Sequence, residues 1–308
     1  MNGTRVIAAI VMIISLPPFL AAIEAITFHV HNRNNGSIVS SGVRREYLLY
    51  VPHGYDRSRP APLVISMHGA GGWPVQQMEM SEWNRLAERE RFIVVCPSAV
   101  AGGGPRVWHV GREAGLGRDV RFISDLIDKL EADYNIDRER IYANGFSNGG
   151  GMAFVLSCAL SDRIAAVGMV GAAQTLSWSW CGDRRAVPMI AFHGTADRFA
   201  PYNGGRSPVA PDKAVFPSVP VWTANWARRN RCAANRIDSP IGRDVIRGEY
   251  ANCADGADVV LYTVRGGGHQ WFGGRALPEW FAGPTSASLD ATGRMWEFFR
   301  AHRHAAAQ

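Results

Sequence analysis

Arg140-Ile141-Tyr142-Ala143-Asn144-Gly145-Phe146-Ser147-Asn148-Gly149-Gly150-Gly151-Met152-Ala153-Phe154-Val155-Leu156-Ser157-Cys158-Ala159-Leu160 divides at its serine. Arg140 to Phe146 reads as a strand, short, apolar and rich in residues that fit a pleated surface. Asn148 to Leu160 reads as a helix. Between them Gly145-Phe146-Ser147-Asn148-Gly149 matches G-x-S-x-G. A serine on so tight a strand-to-helix turn is crowded by its neighbours at −2 and +2, and glycine at both positions removes the clash. The pentapeptide alone occurs by chance. A strand before it and a helix after it are the context that gives it meaning.

The same alternation runs outward from that turn. Upstream, Arg118 to Tyr134 places Ile123, Leu126, Ile127, Leu130 and Tyr134 at the i, i+3, i+4, i+7 spacing of one buried helix face. Tyr47 to Val51, Leu63 to Met67 and Phe92 to Val95 read as strands, with a helix over Met78 to Arg89 between the last two. Downstream, Ala165 to Val170, Val187 to Phe192 and Val259 to Val264 supply further strands, and Met295 to His302 a closing helix. Strands alternating with helices predict an α/β fold: a mostly parallel central sheet with helices on both faces. The polar stretch His29 to Gly42 reads as a loop or an early edge hairpin. Phe199 to Asp258, rich in Pro and Trp, breaks the rhythm and reads as an insertion over one end of the sheet. With no linker and no internal repeat, residues 26–308 are expected to form a single catalytic domain with an insertion at about 199–258.

Three more strand ends carry chemistry. His68-Gly69-Ala70-Gly71-Gly72 follows Leu63 to Met67, His193-Gly194-Thr195-Ala196-Asp197 follows Val187 to Phe192, and Gly266-Gly267-Gly268-His269 follows Val259 to Val264. An acid just beyond a strand can fix the tautomer of a base, and glycines before a histidine let its ring reach over the serine. Ser147 is thus the expected nucleophile, Asp197 the acid and His269 the base, in the order used by α/β-hydrolases. The backbone N–H groups of Ala70 and Asn148 are the expected oxyanion donors, because small residues let the backbone itself approach the substrate. His68 and His193 are read as structural.

His68-Gly69-Ala70-Gly71-Gly72, Gly145-Phe146-Ser147-Asn148-Gly149-Gly150, His193-Gly194-Thr195-Ala196-Asp197, Pro201-Tyr202-Asn203-Gly204-Gly205 and Gly267-Gly268-His269-Gln270-Trp271 occur in that order. Together they resemble the polyhydroxybutyrate depolymerase-type esterases, which include feruloyl and acetylxylan esterases of the LpqC kind. The resemblance covers roughly Tyr47 to His302. It implies the α/β-hydrolase fold and a secreted, cofactor-free serine esterase with the same triad. Ester substrates could be small or polymeric: aryl and acetyl esters of plant polysaccharides, short-chain acyl esters, or hydroxyalkanoate polyesters. Two departures stand out. Only Asp119 precedes Phe122 where such proteins often carry paired aspartates, and Phe272-Gly273 follows Trp271 where Pro-Gly is common. Trp271, two residues past the base, reads equally as lining the acyl or alcohol site or as packing, whereas Trp222 and Trp226 read as packing of the insertion.

Composition sets the compartment and the exclusions. The 308 residues are 47% hydrophobic, enough for one sizeable core. The net charge of +6 comes from scattered arginines, with Lys129 and Lys213 the only lysines, so no basic patch argues for nucleic acid. Residues 1–25 read as a signal peptide: a short basic start, the apolar run Val6 to Ala22, and a small residue at Ala25. An uncleaved anchor is the alternative, but Pro17 and Pro18 leave the run short of the ~20 residues of a span. Export to the periplasm or medium without stable membrane insertion is the expectation. Four of the five cysteines permit three pairings. Cys158–Cys181 and Cys232–Cys253 are the local choice, and Cys96 reads as a buried free thiol. His29/His31 and His302/His304 lie near the chain ends without a third ligand, so no metal site is expected, and no glycine-rich dinucleotide motif calls for a cofactor. Two other functions use the same residues: a serine peptidase, and a catalytically idle hydrolase fold that binds a polymer.

Overall fold

The computed structural model describes residues 34–100, 106–111, 115–182, 185–209 and 215–304; the expected leader lies outside them. Among the described residues there are twelve strands: β1 (Gly36–Ser40), β2 (Val43–Tyr50), β3 (Ala61–Met67), β4 (Ile93–Pro97), β5 (Ile136–Phe146), β6 (Ala166–Val170), β7 (Met189–Gly194), β8 (Gly205–Arg206), β9 (Val215–Phe216), β10 (Ile237–Ile241), β11 (Val245–Tyr250) and β12 (Val259–Val264). The α-helices are α1 (Pro74–Ser81), α2 (Trp83–Glu90), α3 (Leu116–Asp133), α4 (Asn148–Ala159), α5 (Val219–Arg229), α6 (Glu279–Ala282) and α7 (Ala291–Ala301). Ten of the strands form one sheet in the order β1-β2-β4-β3-β5-β6-β7-β12-β11-β10. Its centre, β4 through β12, is parallel, and antiparallel hairpins extend both flanks. This is the doubly covered α/β sheet that the alternation predicts.

The parallel strands are apolar on both faces because both are covered. Leu63, Ile65, Ile93, Ile141, Val167, Met189 and Leu261 pack with α3, α4 and α5. Their neighbours Val64, Val94, Tyr142, Ala166, Ile190 and Val260 pack with α1, α2 and α7 on the other face. Among the described residues, no helix is long and apolar enough to cross a membrane.

Two expectations change in detail. The helix over Met78 to Arg89 is two helices, broken at Glu82, whose φ of 55° and ψ of 25° are left-handed. The carbonyls of Met80 and Ser81, which a continuous helix would use internally, accept instead from Arg275 N–H and the Thr292 hydroxyl. The described residues of the segment 199–258 do not all gather over one sheet end. Its α5 lies on the sheet face with Trp222 and Trp226 fully buried, and the β10–β11 hairpin continues the main sheet beyond β12. The two local cysteine pairs are disulfides, Cys158–Cys181 and Cys232–Cys253, and Cys96 is a buried free thiol whose ionisation burial pushes up.

Candidate active site

Parallel strands deliver their C-terminal ends to one edge, and there β3, β5, β7 and β12 are immediate or near neighbours. Met67 pairs with Gly145, Phe146 with Val170, Val170 with Phe192, and Gly194 with Val264. The loops that follow therefore open side by side. Ser147 caps β5 with φ 51° and ψ −119°, a conformation that L-residues rarely adopt. Such strain costs on the order of 1–3 kcal/mol and persists only where surrounding contacts impose it. Here Ser147 N–H donates to Val170 O at 2.8 Å, and α4 begins at the very next residue. A β-carbon at Gly149 would lie 2.2 Å from Met67 O, so only glycine lets α4 approach β3 this closely.

His269 and Asp197 meet at this edge. Nδ1–H of His269 donates to Asp197 Oδ2 at 2.7 Å. The other carboxylate oxygen accepts from the N–H groups of Phe199 and Ala200 at 2.8 and 2.9 Å. Burial alone would raise the Asp197 carboxyl, but the facing His269 and His193 and these hydrogen bonds hold it below the usual carboxylate range. It is an anion built to orient one imidazole. The His269 ring lies 4.7 Å from that of Phe146, the residue before Ser147. His193 is buried beside the same carboxylate and donates from Nε2 to Ala200 O at 2.7 Å; burial lowers its basicity. It supports the loop that carries Asp197.

The oxyanion loop is held from below. Nδ1–H of His68 donates to Gly69 O at 2.7 Å, and its Nε2 accepts from Ala99 N–H at 3.1 Å. Burial pulls its pKa down to about 4, so the ring is neutral and structural, as expected. A β-carbon at Gly69 would lie 3.4 Å from Ser147 Cβ, which fixes how closely this loop passes the nucleophile. Among the described residues, the exposed Ala70 gives its N–H to no backbone carbonyl. Asn148, at the first position of α4, has an N–H with no partner inside the helix. Both amides are free to donate, which is the property an oxyanion site requires.

Other residues at the site escaped the sequence reading. The Asn148 side chain clamps Trp108, accepting its N–H at 2.7 Å and donating to its carbonyl at 3.1 Å. The Trp108 indole donates to His68 O at 3.1 Å and stacks on Phe122. Next to it, His109 gives both its backbone N–H and its Nδ1–H to Asp119 Oδ2, at 2.9 and 2.7 Å. Asp119 also forms a buried ion pair with Arg45 at 2.9 Å, and the guanidinium lies 3.9 Å over the Phe122 ring. The single aspartate noted in the sequence is therefore the anchor of the 106–111 loop. Trp271 does not line the site. It is fully buried, and its indole N–H is committed to Thr292 Oγ1 at 2.8 Å. Phe272, which stands where proline is common, is fully buried as well. Among the described residues, no three His, Cys, Asp or Glu side chains gather to hold a metal.

Comparison with known proteins agrees with this geometry. Residues 45–176 match the family model described as "Esterase PHB depolymerase". Feruloyl esterase B of Piromyces equi is 31% identical over 229 residues, 73% of this chain; the chain spans only 42% of that protein's length. Feruloyl esterase C of Emericella nidulans is 29% identical over 304 residues, covering 93% of this chain and 98% of its own. Among solved structures, an acetyl xylan esterase from Aspergillus awamori superposes with a TM-score of 0.60 at 14% identity, over 86% of this chain and 98% of that one, a likeness of fold.

Proposed function

We propose that this chain, whose residues 45–176 match the family model of PHB depolymerase esterases, is a carboxylic ester hydrolase working through Ser147, Asp197 and His269. The observation that carries the reading is the buried His269–Asp197 hydrogen bond at the sheet edge where Ser147 holds its strained turn. In this mechanism Ser147 Oγ attacks the acyl carbonyl as His269 Nε2 takes its proton. Asp197 keeps Nδ1 protonated and steadies the imidazolium. The oxyanion that forms lies against the amides of Ala70 and Asn148, fixed donors that need little reorganisation as charge develops, and its collapse expels the alcohol. The imidazolium then protonates the leaving alcohol, and the same imidazole later deprotonates the water that releases the acid.

The two disulfides fit an oxidising compartment, which supports a site of action outside the cytoplasm. The relatives' names, feruloyl esterase and acetylxylan esterase/xylanase, support aryl or acetyl esters carried on plant polysaccharide as substrates. The test is a rate panel of p-nitrophenyl acetate and longer acyl chains, methyl ferulate, acetylated xylan and hydroxybutyrate oligomers. Wild type should turn over esters, and Ser147→Ala should lose about 10⁴-fold or more in kcat while keeping its unfolding midpoint. His269→Ala should cost about as much, since the two act as a unit. A folded wild type that cleaves no ester overturns the reading.

A further inference from the structure

A run of aromatic rings leads outward from the base. The His269 ring lies 4.9 Å from Phe199, Phe199 lies 5.0 Å from Phe281, and Phe281 lies 5.9 Å from Trp280. The outer two rungs are open: Phe281 is 47% and Trp280 84% exposed, the two exposed large aromatics among the described residues. A tryptophan so fully in water contributes nothing to the core, and an exposed aromatic pair beside a reactive centre marks a contact surface.

The two rings are held fast. They sit on α6, a single turn seated directly on the loop of the base. Gly268 N–H donates to Pro284 O, and His269 N–H donates to Ala282 O. The Gln270 side chain donates to the carbonyls of Leu277 and Gly283 and accepts from Leu277 N–H. A β-carbon at Gly268 would lie 2.0 Å from Ala282 O, so the turn touches the backbone just before the base. The backbone of the platform is therefore tied to that of His269, which lowers the ordering cost of binding.

The side of the site is set by mechanism. The base that takes the serine proton returns it to the leaving oxygen, so the alcohol half of the ester lies against His269. Resting on the esterase reading above, we infer that Phe281 and Trp280 are a docking platform for the alcohol half of the substrate, a neutral sugar chain extending past the scissile ester. Two rings separate Trp280 from the base, so a small ester ends before reaching it, whereas a chain of sugars continues onto it. The apolar C–H face of a sugar ring suits an open indole face, and no charge is needed for that contact.

The test separates binding from turnover. Retention on insoluble arabinoxylan and on polyhydroxybutyrate granules is measured for Ser147→Ala and for Ser147→Ala/Trp280→Ala, and hydrolysis of p-nitrophenyl acetate for wild type and Trp280→Ala. The expected result is retention on arabinoxylan, weakened about five- to tenfold by Trp280→Ala and restored by Trp280→Tyr, with p-nitrophenyl acetate rates unchanged. Because Trp280 is exposed, the substitution leaves folding intact. Absence of arabinoxylan binding, binding that ignores residue 280, or binding to the polyester alone overturns the inference. Loss of p-nitrophenyl acetate hydrolysis in Trp280→Ala overturns it too, by making the residue part of the chemistry. A wild type inert on every ester would sink the esterase reading separately, whatever the binding result.

Discussion

His68 lies beneath the oxyanion loop with both ring nitrogens bonded to backbone, one giving a proton to Gly69 and the other receiving one from Ala99. Protonating Nε2 would set two donors against each other in a dry site. Its pKa therefore falls to about 4, through desolvation first. The unfolded chain binds a proton near the ordinary histidine value of about 6.5 and the native state does not, so stability falls as pH drops from about 6.5 toward 4 and levels off below. The loss from this residue is roughly 3 kcal/mol. Urea unfolding at pH 7 and pH 4.5 should show it, and His68→Gln should flatten the slope. An equally steep slope in the variant would assign the effect elsewhere. At this scale the sequence was most readable. Ser147, Asp197 and His269 each follow a strand, and a shared sheet edge follows from that placement alone. Trp271 was not readable, because nearness in sequence to the base does not say which way a ring turns. Its indole turned inward to a hydroxyl 21 residues away.

Two helices hold the loop 106–111 beside the proposed nucleophile. Asn148 at the start of α4 grips Trp108, and Asp119 in the first turn of α3 grips His109. Asp119 can do so because Arg45 on β2 supplies its counter-charge in a buried pair. Asp119→Asn would leave the Arg45 cation buried without a partner, a loss of about 3–5 kcal/mol. The urea midpoint should drop accordingly, and esterase rates should fall with it as the 106–111 loop loosens. A midpoint within experimental error of wild type would mean the pair is not fixing the loop. None of this was legible beforehand, since Arg45 and Asp119 are 74 positions apart and no local pattern links them. The break between α1 and α2 was hidden for the same reason: the groups that take the carbonyls of Met80 and Ser81 come from near the other end of the chain. Periodicity reports a buried face, and it continues across a kink that tertiary hydrogen bonds impose.

For the molecule as a whole, each disulfide closes a short loop on the flank of the sheet that carries the acid and base loops. Cys158–Cys181 spans 23 positions and Cys232–Cys253 spans 21. Loops of this size restrict the unfolded chain by about 3 kcal/mol each in the chain-entropy view. Reductant should therefore lower the Tm by on the order of 10 °C, while rates on p-nitrophenyl acetate at 25 °C persist, because neither pair touches the proposed triad. An unchanged Tm would mean that the pairs are not formed in solution. The central parallel strands were plain from their apolar runs, but the outer hairpins were not. The β10 sequence is polar and largely exposed, and it reads as loop until β11 is seen to pair with it. That strand ends the sheet. Pro240 lies in its middle and brings no N–H, and proline is accepted in a sheet only where the missing donor faces solvent. The Arg236–Asp238 ion pair adds charge along the same strand. An open rim of a ten-stranded sheet would otherwise invite an eleventh strand from a neighbouring copy. In β10 the chain carries its own barrier to edge-to-edge aggregation.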